Sequence, residues 1–496
     1  MTTSSNHYDA VIVGAGFGGI GAAIQLKRLG YDNLLILERE SDLGGTWHVN
    51  RYPGLAVDIP SSTYSYSFEP NPYWSRLFAP GAELKQYAEH VADKYDVRRH
   101  MQFDAVVSGA VWDEEQEHWR VTLQDGSVVT GQFLLTATGF LSQPKMPDIE
   151  GIDSFTGTVI HTTDWPDQTD LDGKRIGIIG TGATAVQLIP ELAKVASDLT
   201  VYQRTPIWVS PKPDYGIPRP VQQAFAKVPL AQRAVRTIGS TVLEAMMVSG
   251  VVHYKQMSAV NRIAERYCRA HLHRQVRDPE LRRKLTPDYS FGCKRPTFSN
   301  DYFPTFTKPH VHLETESIQR IDEKGIVTGD GGRRDIDVLV LATGFNLWDV
   351  NFPAIEIIGR EGRNLGKFWR EKRFQAYEGV SVPAFPNFVS LNSPWSYSGL
   401  SYFTTIECQM KHMNRLFGEM QKRGATTFEV DNLANARFLA EMTDKVAGSV
   451  FALGQCSTAN SYYFNQHGEA TLLRPSSTIS AHRRAAGFPV DDYIYA

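Results

Sequence analysis

The chain has little of what builds metal sites and disulfide frameworks. Four cysteines stand in 496 residues: Cys268, Cys293, Cys408 and Cys456. They are scattered, with no Cys-x-x-Cys pair, which argues against a zinc ribbon and against a short-spaced redox disulfide. Buried thiols and no bound metal are the expectation. Charge of one sign is equally scarce, since 51 Lys and Arg against 54 Asp and Glu leave a formal charge of -3. Such a balance supplies no field for gathering nucleic acid or an anionic membrane. The opening MTTSSNHYDA lacks the basic-then-apolar order of an export signal, and no later run is long enough to cross a bilayer without glycines or charges. These absences predict a cytoplasmic protein with no nucleic-acid partner and no stable membrane anchoring. The length is too great for one core, so several domains are expected.

What the chain does have is two ordered glycine clusters. Tyr8 to Val13 is a short apolar run that feeds into Gly14-Ala-Gly16-Phe17-Gly-Gly19; a helical pattern follows to Gly30, and LLIL at 34 to 37 reads as a second buried strand. This is a strand-helix-strand unit for a dinucleotide. Gly14 makes the tight turn, Gly16 lets backbone approach a pyrophosphate, Gly19 allows close helix packing, and Glu38 ends the second strand where a carboxylate accepts from ribose hydroxyls. Arg39 follows it. The pattern recurs as RIGII, then Gly180-Thr181-Gly182-Ala183-Thr184-Ala185 with Gln187 on the next helix, then LTVYQ. Counted from the first glycine of each loop, Arg204 occupies the slot of Glu38, and Thr205 follows it. An arginine there suits a 2′-phosphate, so the first loop is expected to hold FAD and the second NADPH.

LLTATGF (134 to 140) and VLVLATGF (338 to 345) each read as a strand ending in Ala-Thr-Gly that returns the chain to a nucleotide-binding sheet. One precedes the second glycine loop and one follows it. The expected fold is α/β, with two Rossmann-like dinucleotide-binding domains, the NADPH domain inserted in the FAD domain, and a helical insertion. The expected segments are 1–145 (FAD), 146–210 (NADP), 211–288 (helical), 289–336 (NADP) and 337–496 (FAD with a substrate-pocket segment). Within the helical part, VLEAMMVSGVVHY (242 to 254) reads as core packing.

From Gly44 the chain runs GGTWHVNRYPGLAVDIP, and ahead of the second loop it has FTGTVIHTTDWP. Phe155, Gly157, His161, Trp165 and Pro166 match the Phe-x-Gly-x-x-x-His-x-x-x-Trp fingerprint, so the sequence resembles the type I Baeyer–Villiger monooxygenases, within the class B flavin monooxygenases. The resemblance adds Gly45, Thr46, Trp47, Asp58, Tyr64 and Val106 to the expected FAD contacts. It gives the fingerprint a hinge or cofactor-positioning role, with a structural role for His161 the simpler reading. It also implies the chemistry: NADPH reduces FAD, O₂ adds to give a C4a-peroxyflavin, and a ketone becomes an ester or lactone.

In FGCKRPTFSNDYF (291 to 303) the resemblance assigns the catalytic guanidinium to Arg295, phosphate binding to Lys294, and the counter-charge to Asp58. A permanent cation suits an anion developing in a desolvated pocket. Arg51 is a second-ranked cation that supports the FAD loop. The Ser-Pro segment NSPWSYSGLSYF is bulkier than the family's, and Tyr462 stands where the family often has a Trp. Three other readings stay open: an N- or S-oxidising flavin monooxygenase, a flavin disulfide reductase, and a flavin-binding sensor without turnover.

Overall fold

The computed structural model describes residues 6–397, 399 and 401–496. Two sheets organise it. The first has eight strands. Its parallel part runs Met101–Gln102, Leu34–Leu37, His7–Val13, Val128–Thr136, with Phe388–Ser390 also pairing Val128–Thr136. His118–Leu123 and Val107–Asp113 extend it antiparallel, and Glu356–Ile358 ends it. Leu34–Leu37 is buried on both faces, as a parallel strand covered from two sides must be.

The second sheet is wholly parallel, in the order Val311–Glu314, Asp198–Tyr202, Arg175–Ile179, Val338–Leu341, Thr158–His161. Val338–Leu341 therefore corrects the expected boundary at 337. It belongs to the second sheet, and the later strand that joins the first sheet is Phe388–Ser390. The physical reason is that both Ala-Thr-Gly strands do the same local job. The Ala137 N–H donates to Val13 and the Ala342 N–H to Ile179, at 2.8 and 2.9 Å. Each alanine thus closes its own sheet beside its own glycine loop. The fingerprint segment is likewise part of the second sheet, since Thr158–His161 forms its edge.

Between the sheets' segments lie the expected helices, Arg219–Lys227, Pro229–Met247 and Tyr254–Gln275. A shorter helix, Pro279–Leu285, starts where Asp278 accepts from the N–H groups of Glu280 and Leu281. The apolar run expected as core divides: Val248 and Val251 are buried, whereas Val242 is 53% exposed. Among the described residues one stretch, Pro229–Val252, is long and apolar enough to cross a membrane by length and composition alone, although it carries Arg233, Arg236, Gly239 and Glu244.

The cysteines need a second correction. Cys268 and Cys408 are buried thiols, but Cys293 and Cys456 form a disulfide across 163 residues with Cα atoms 5.2 Å apart. Spacing in the chain carries no sign of a pairing at that range.

Candidate active site

The two glycine loops are built alike. The Gly14 N–H donates to Leu37 and the Gly180 N–H to Tyr202, so each loop caps the strand beside it. Both glycines have positive φ, +106° and +114°, and a Cβ on either would press on a backbone oxygen, Ala137 at 2.6 Å or Ala342 at 2.3 Å. No residue with a side chain fits there. Gly19 is as constrained, since its Cβ would collide with the Gly14 carbonyl. Gly16 faces Gly45, whose Cα would lie 3.6 Å from an added Cβ. Two backbone segments thus approach with no side chain between them, and such bare backbone is what close approach to a pyrophosphate requires.

Glu38 is buried and accepts from the Ala15 N–H at 2.6 Å and from the Glu40 N–H at 3.1 Å. Arg39 is exposed and paired with Glu40. Phe17 lies in an aromatic core with Tyr64, Tyr66 and Phe403. Thr46 and Trp47 start a short helix, and the Trp47 indole donates to the Tyr64 hydroxyl at 3.3 Å. The Val106 carbonyl accepts from the Gln124 N–H, in the chain just after the contact of Ala105 with Glu38.

In the second loop, Ala183, Thr184 and Ala185 open the helix Ala183–Val195, and Gly182 has open space where a Cβ would be. The Thr181 hydroxyl donates to the Thr205 carbonyl. Thr205 is buried, and its hydroxyl accepts from Asn460 at 2.7 Å. Arg204 is exposed beside it. Lys294 stands close enough to Arg204 to be repelled. Burial and then the Arg204 guanidinium pull its ammonium down to about 8. Two cations without a carboxylate between them form a site for a dianion. Gln187 faces elsewhere: it accepts from the Tyr52 hydroxyl at 3.1 Å and donates to the Ala56 carbonyl at 2.9 Å.

The centre of the site is Arg295. It donates through Nε and Nη2 to the two oxygens of Asp58, at 2.7 and 3.1 Å, and through Nη1 to the Tyr397 hydroxyl at 2.8 Å. The side chains are 16% and 27% exposed, so the pair is largely withdrawn from water and keeps some solvent access. Burial pushes the Asp58 carboxyl up, and Arg295 overrides it, holding the group below the usual carboxylate range. Burial likewise opposes the guanidinium charge, and Asp58 more than offsets it. Burial pushes the neighbouring Tyr463 phenol up to about 12, with Arg295 acting against it. Tyr462 stacks edge-on to Tyr463 with centroids 4.8 Å apart.

The fingerprint residues sit to one side. Phe155 and Trp165 are buried, Pro166 is exposed, and a Cβ on Gly157 would strike the Asp337 carbonyl at 2.4 Å. His161 ends its strand. The Thr163 N–H donates to its Nδ1, which puts the proton on a buried Nε2 with no partner among the described residues. Burial holds this imidazole below its usual pKa. Arg51 is far from the Arg295 cluster in its bonding. It donates to His48 and to Asp167, just past the fingerprint.

Sequence reasoning missed the roles of Tyr397, Asn460 and Gln187 as clasps. Tyr397 is legible only as bulk in the Ser-Pro segment, Gln187 only as an expected NADP contact after the second glycine loop, and nothing local marks Asn460.

The chain is 36% identical over 456 residues to a Baeyer-Villiger monooxygenase of Pseudomonas aeruginosa, an alignment covering 92% of this chain and 85% of that one. The chain belongs to the Baeyer–Villiger monooxygenase family. A Baeyer-Villiger monooxygenase of Streptomyces coelicolor is 34% identical over 98% of the chain and 92% of its own length. A solved steroid monooxygenase bound to NADP superposes with a TM-score of 0.87 at 30% identity over 99% of both chains. A structure of OTEMO in complex with FAD and NADP gives 0.87 at 29% with the same coverage. Residues 11–264 also match the model described as pyridine nucleotide-disulphide oxidoreductase. That match ends before Cys293 and Cys456, so it concerns the dinucleotide folds and not a redox disulfide. This Baeyer–Villiger monooxygenase is an FAD-dependent, NADPH-consuming enzyme built on two Rossmann-like domains.

Proposed function

We propose that the chain oxygenates a small-molecule ketone next to its carbonyl, giving an ester or lactone, with O₂ as the oxygen source, and that Arg295 and Asp58 are its catalytic pair. The observation that carries this reading is the guanidinium held by three hydrogen bonds, two to Asp58 and one to Tyr397. When bound, FAD supplies the redox chemistry and the activation of O₂. The chain's residues do the rest. The bare backbone at Gly14, Gly16 and Gly45 would take the FAD pyrophosphate, and Glu38 its ribose. Lys294 and Arg204 would take the 2′-phosphate of NADPH. Arg295 holds a charge that no proton transfer can remove, ready for the negative charge that develops on the carbonyl oxygen. Asp58 orients it and keeps it in place. The need for NADPH places the chain in the cytoplasm, a compartment that keeps most thiols reduced, so the Cys293–Cys456 bond is open to reduction there.

The test is to incubate the holoenzyme with NADPH, air and a panel of linear, cyclic and aryl ketones, and to look for products heavier by one oxygen atom. Arg295→Ala should lower ketone oxygenation at least about a hundredfold, near 3 kcal/mol of transition-state stabilisation. Retained oxidation of amines or sulfides by that variant, with no ketone product from the parent enzyme, would overturn the reading in favour of N- or S-oxygenation.

A further inference from the structure

The helix Pro229–Met247 is mounted with its apolar side outward. At 100° per residue, positions 230, 231, 234, 235, 238, 241, 242 and 245 share one face, and all of them are exposed. Leu230 is 73% exposed, Ile238 64%, Val242 53% and Val235 44%. The opposite face holds the helix to the body. The Gln232 amide donates to the Asn71 carbonyl at 2.6 Å, and Arg236 donates to the carbonyls of Ser62 and Ser65 at 3.0 and 2.8 Å. A surface helix of a globular protein normally turns its apolar stripe to the core and its polar face to water. Here the order is reversed.

Charge adds a second, independent observation. The chain as a whole carries -3, yet residues 219–275 hold nine Lys and Arg against only Glu244 and Glu265. Lys227 and Arg233 are exposed near the stripe, and on the next helix Arg262 and Arg266 are exposed alongside Ile263 and Tyr267, which are 63% and 56% exposed. An aliphatic stripe edged by cations is the pattern of a helix lying in an anionic bilayer interface. The stripe contains no aromatic anchor and no hydrogen-bonding side chain but Thr241, whereas protein interfaces centre on aromatic and Arg anchors. A symmetric contact with a second copy would bring one basic surface against another. The bonds of Gln232 and Arg236 to the body keep the helix on the membrane surface, not across it.

We propose that this helix is a reversible docking site for an anionic lipid surface, with Leu230, Val235, Ile238 and Val242 entering the headgroup boundary. The test is co-sedimentation of the holoenzyme with vesicles of phosphatidylcholine alone and of phosphatidylcholine mixed with phosphatidylglycerol. Binding is expected only to the second, falling as salt is raised. The double variant Val235→Asp, Ile238→Asp should lower the bound fraction at least about tenfold, with FAD content and NADPH oxidation unchanged. Leu230→Asp, at the exposed end of the stripe, is the second variant and should weaken binding in the same direction. Equal binding to both vesicles, binding to neither, or binding that all these variants retain overturns the proposal. So does concentration-dependent self-association that the substitutions abolish without any vesicle binding.

Discussion

At the scale of single residues the site depends on how charge is held. Asp58 has a folded pKa below its ordinary value because Arg295 offsets the burial that raises it. Its stabilising contribution is therefore present above the ordinary carboxylate range and is lost only as pH falls through the lower folded value. The pair is intact at neutral pH. Lys294 behaves in the opposite sense. Burial and Arg204 depress its pKa to about 8, so below that pH the folded chain carries a disfavoured charge, and the strain is relieved as pH rises toward the unfolded value. A bound 2′-phosphate relieves it too, but only while the ammonium is protonated. The rise in Tm given by NADP⁺ over that given by NAD⁺ should therefore be large at pH 7 and shrink through pH 8 to 9.5. A pH-independent difference would show that Lys294 does not face the phosphate. Tyr397 is a positioning residue, accepting from Arg295 at 2.8 Å. Tyr397→Phe should reduce oxygenation roughly tenfold, the worth of one hydrogen bond to a charged group at about 1.5 kcal/mol. Hydrogen peroxide released per NADPH should rise while flavin reduction is unchanged; a slowed reduction step would instead assign Tyr397 to the NADPH side.

At the scale of elements, what could be read in advance was what the chain encodes locally. Gly14 and Gly180 demand a backbone that only glycine adopts, so both loops were visible as spacing, and Glu38 and Arg204 fell at equal offsets from them. The Arg295–Asp58 pair came from a family motif, since 237 residues separate the partners and no local pattern joins them. Strand partners were hidden for the same reason. Val338–Leu341 and Leu134–Thr136 are both short apolar strands followed by Ala-Thr-Gly-Phe, and only the glycine loop each packs against decides its sheet. The Cys293–Cys456 bond was hidden most completely, yet it ties two functional segments. Cys293 precedes Lys294 and Arg295, and the segment after Cys456 brings Asn460 to Thr205 and the Tyr462 carbonyl to the Trp348 indole. Closing a loop of 163 residues is worth up to about 5 kcal/mol in the chain-entropy model. Cys456→Ser, or reduction of the native enzyme, should lower Tm by several degrees and raise KM for NADPH more than it lowers kcat. Unchanged KM with a lowered Tm would reduce the bond to a purely structural one.

At the scale of the whole molecule, the two dinucleotide domains meet where the chain after the first cofactor loop touches the helix of the second. Gln187 is the clasp. It bonds Tyr52 and Ala56, and its carbonyl lies 2.9 Å from where a Cβ on Gly54 would be. Gly54 has φ +81°, so a side chain there is both strained and in contact with the opposing helix. Arg51 bridges to Asp167 nearby, but both partners are exposed and such a pair contributes little. At this contact the approach of the two domains is thus set by a glycine and an amide more than by the charges that flank them. Hydride transfer is sensitive to misplacement on that scale, where a shift near 1 Å can cost about a hundredfold. Gly54→Ala should therefore slow anaerobic flavin reduction by NADPH between about ten- and a hundredfold, with FAD content unchanged because the first glycine loop is untouched. Gln187→Ala, which removes the bonds without adding bulk, should slow the same step by a smaller factor. Stopped-flow absorbance of the flavin reads both, and normal reduction rates in the two variants would mean that the domains are set by contacts other than this clasp.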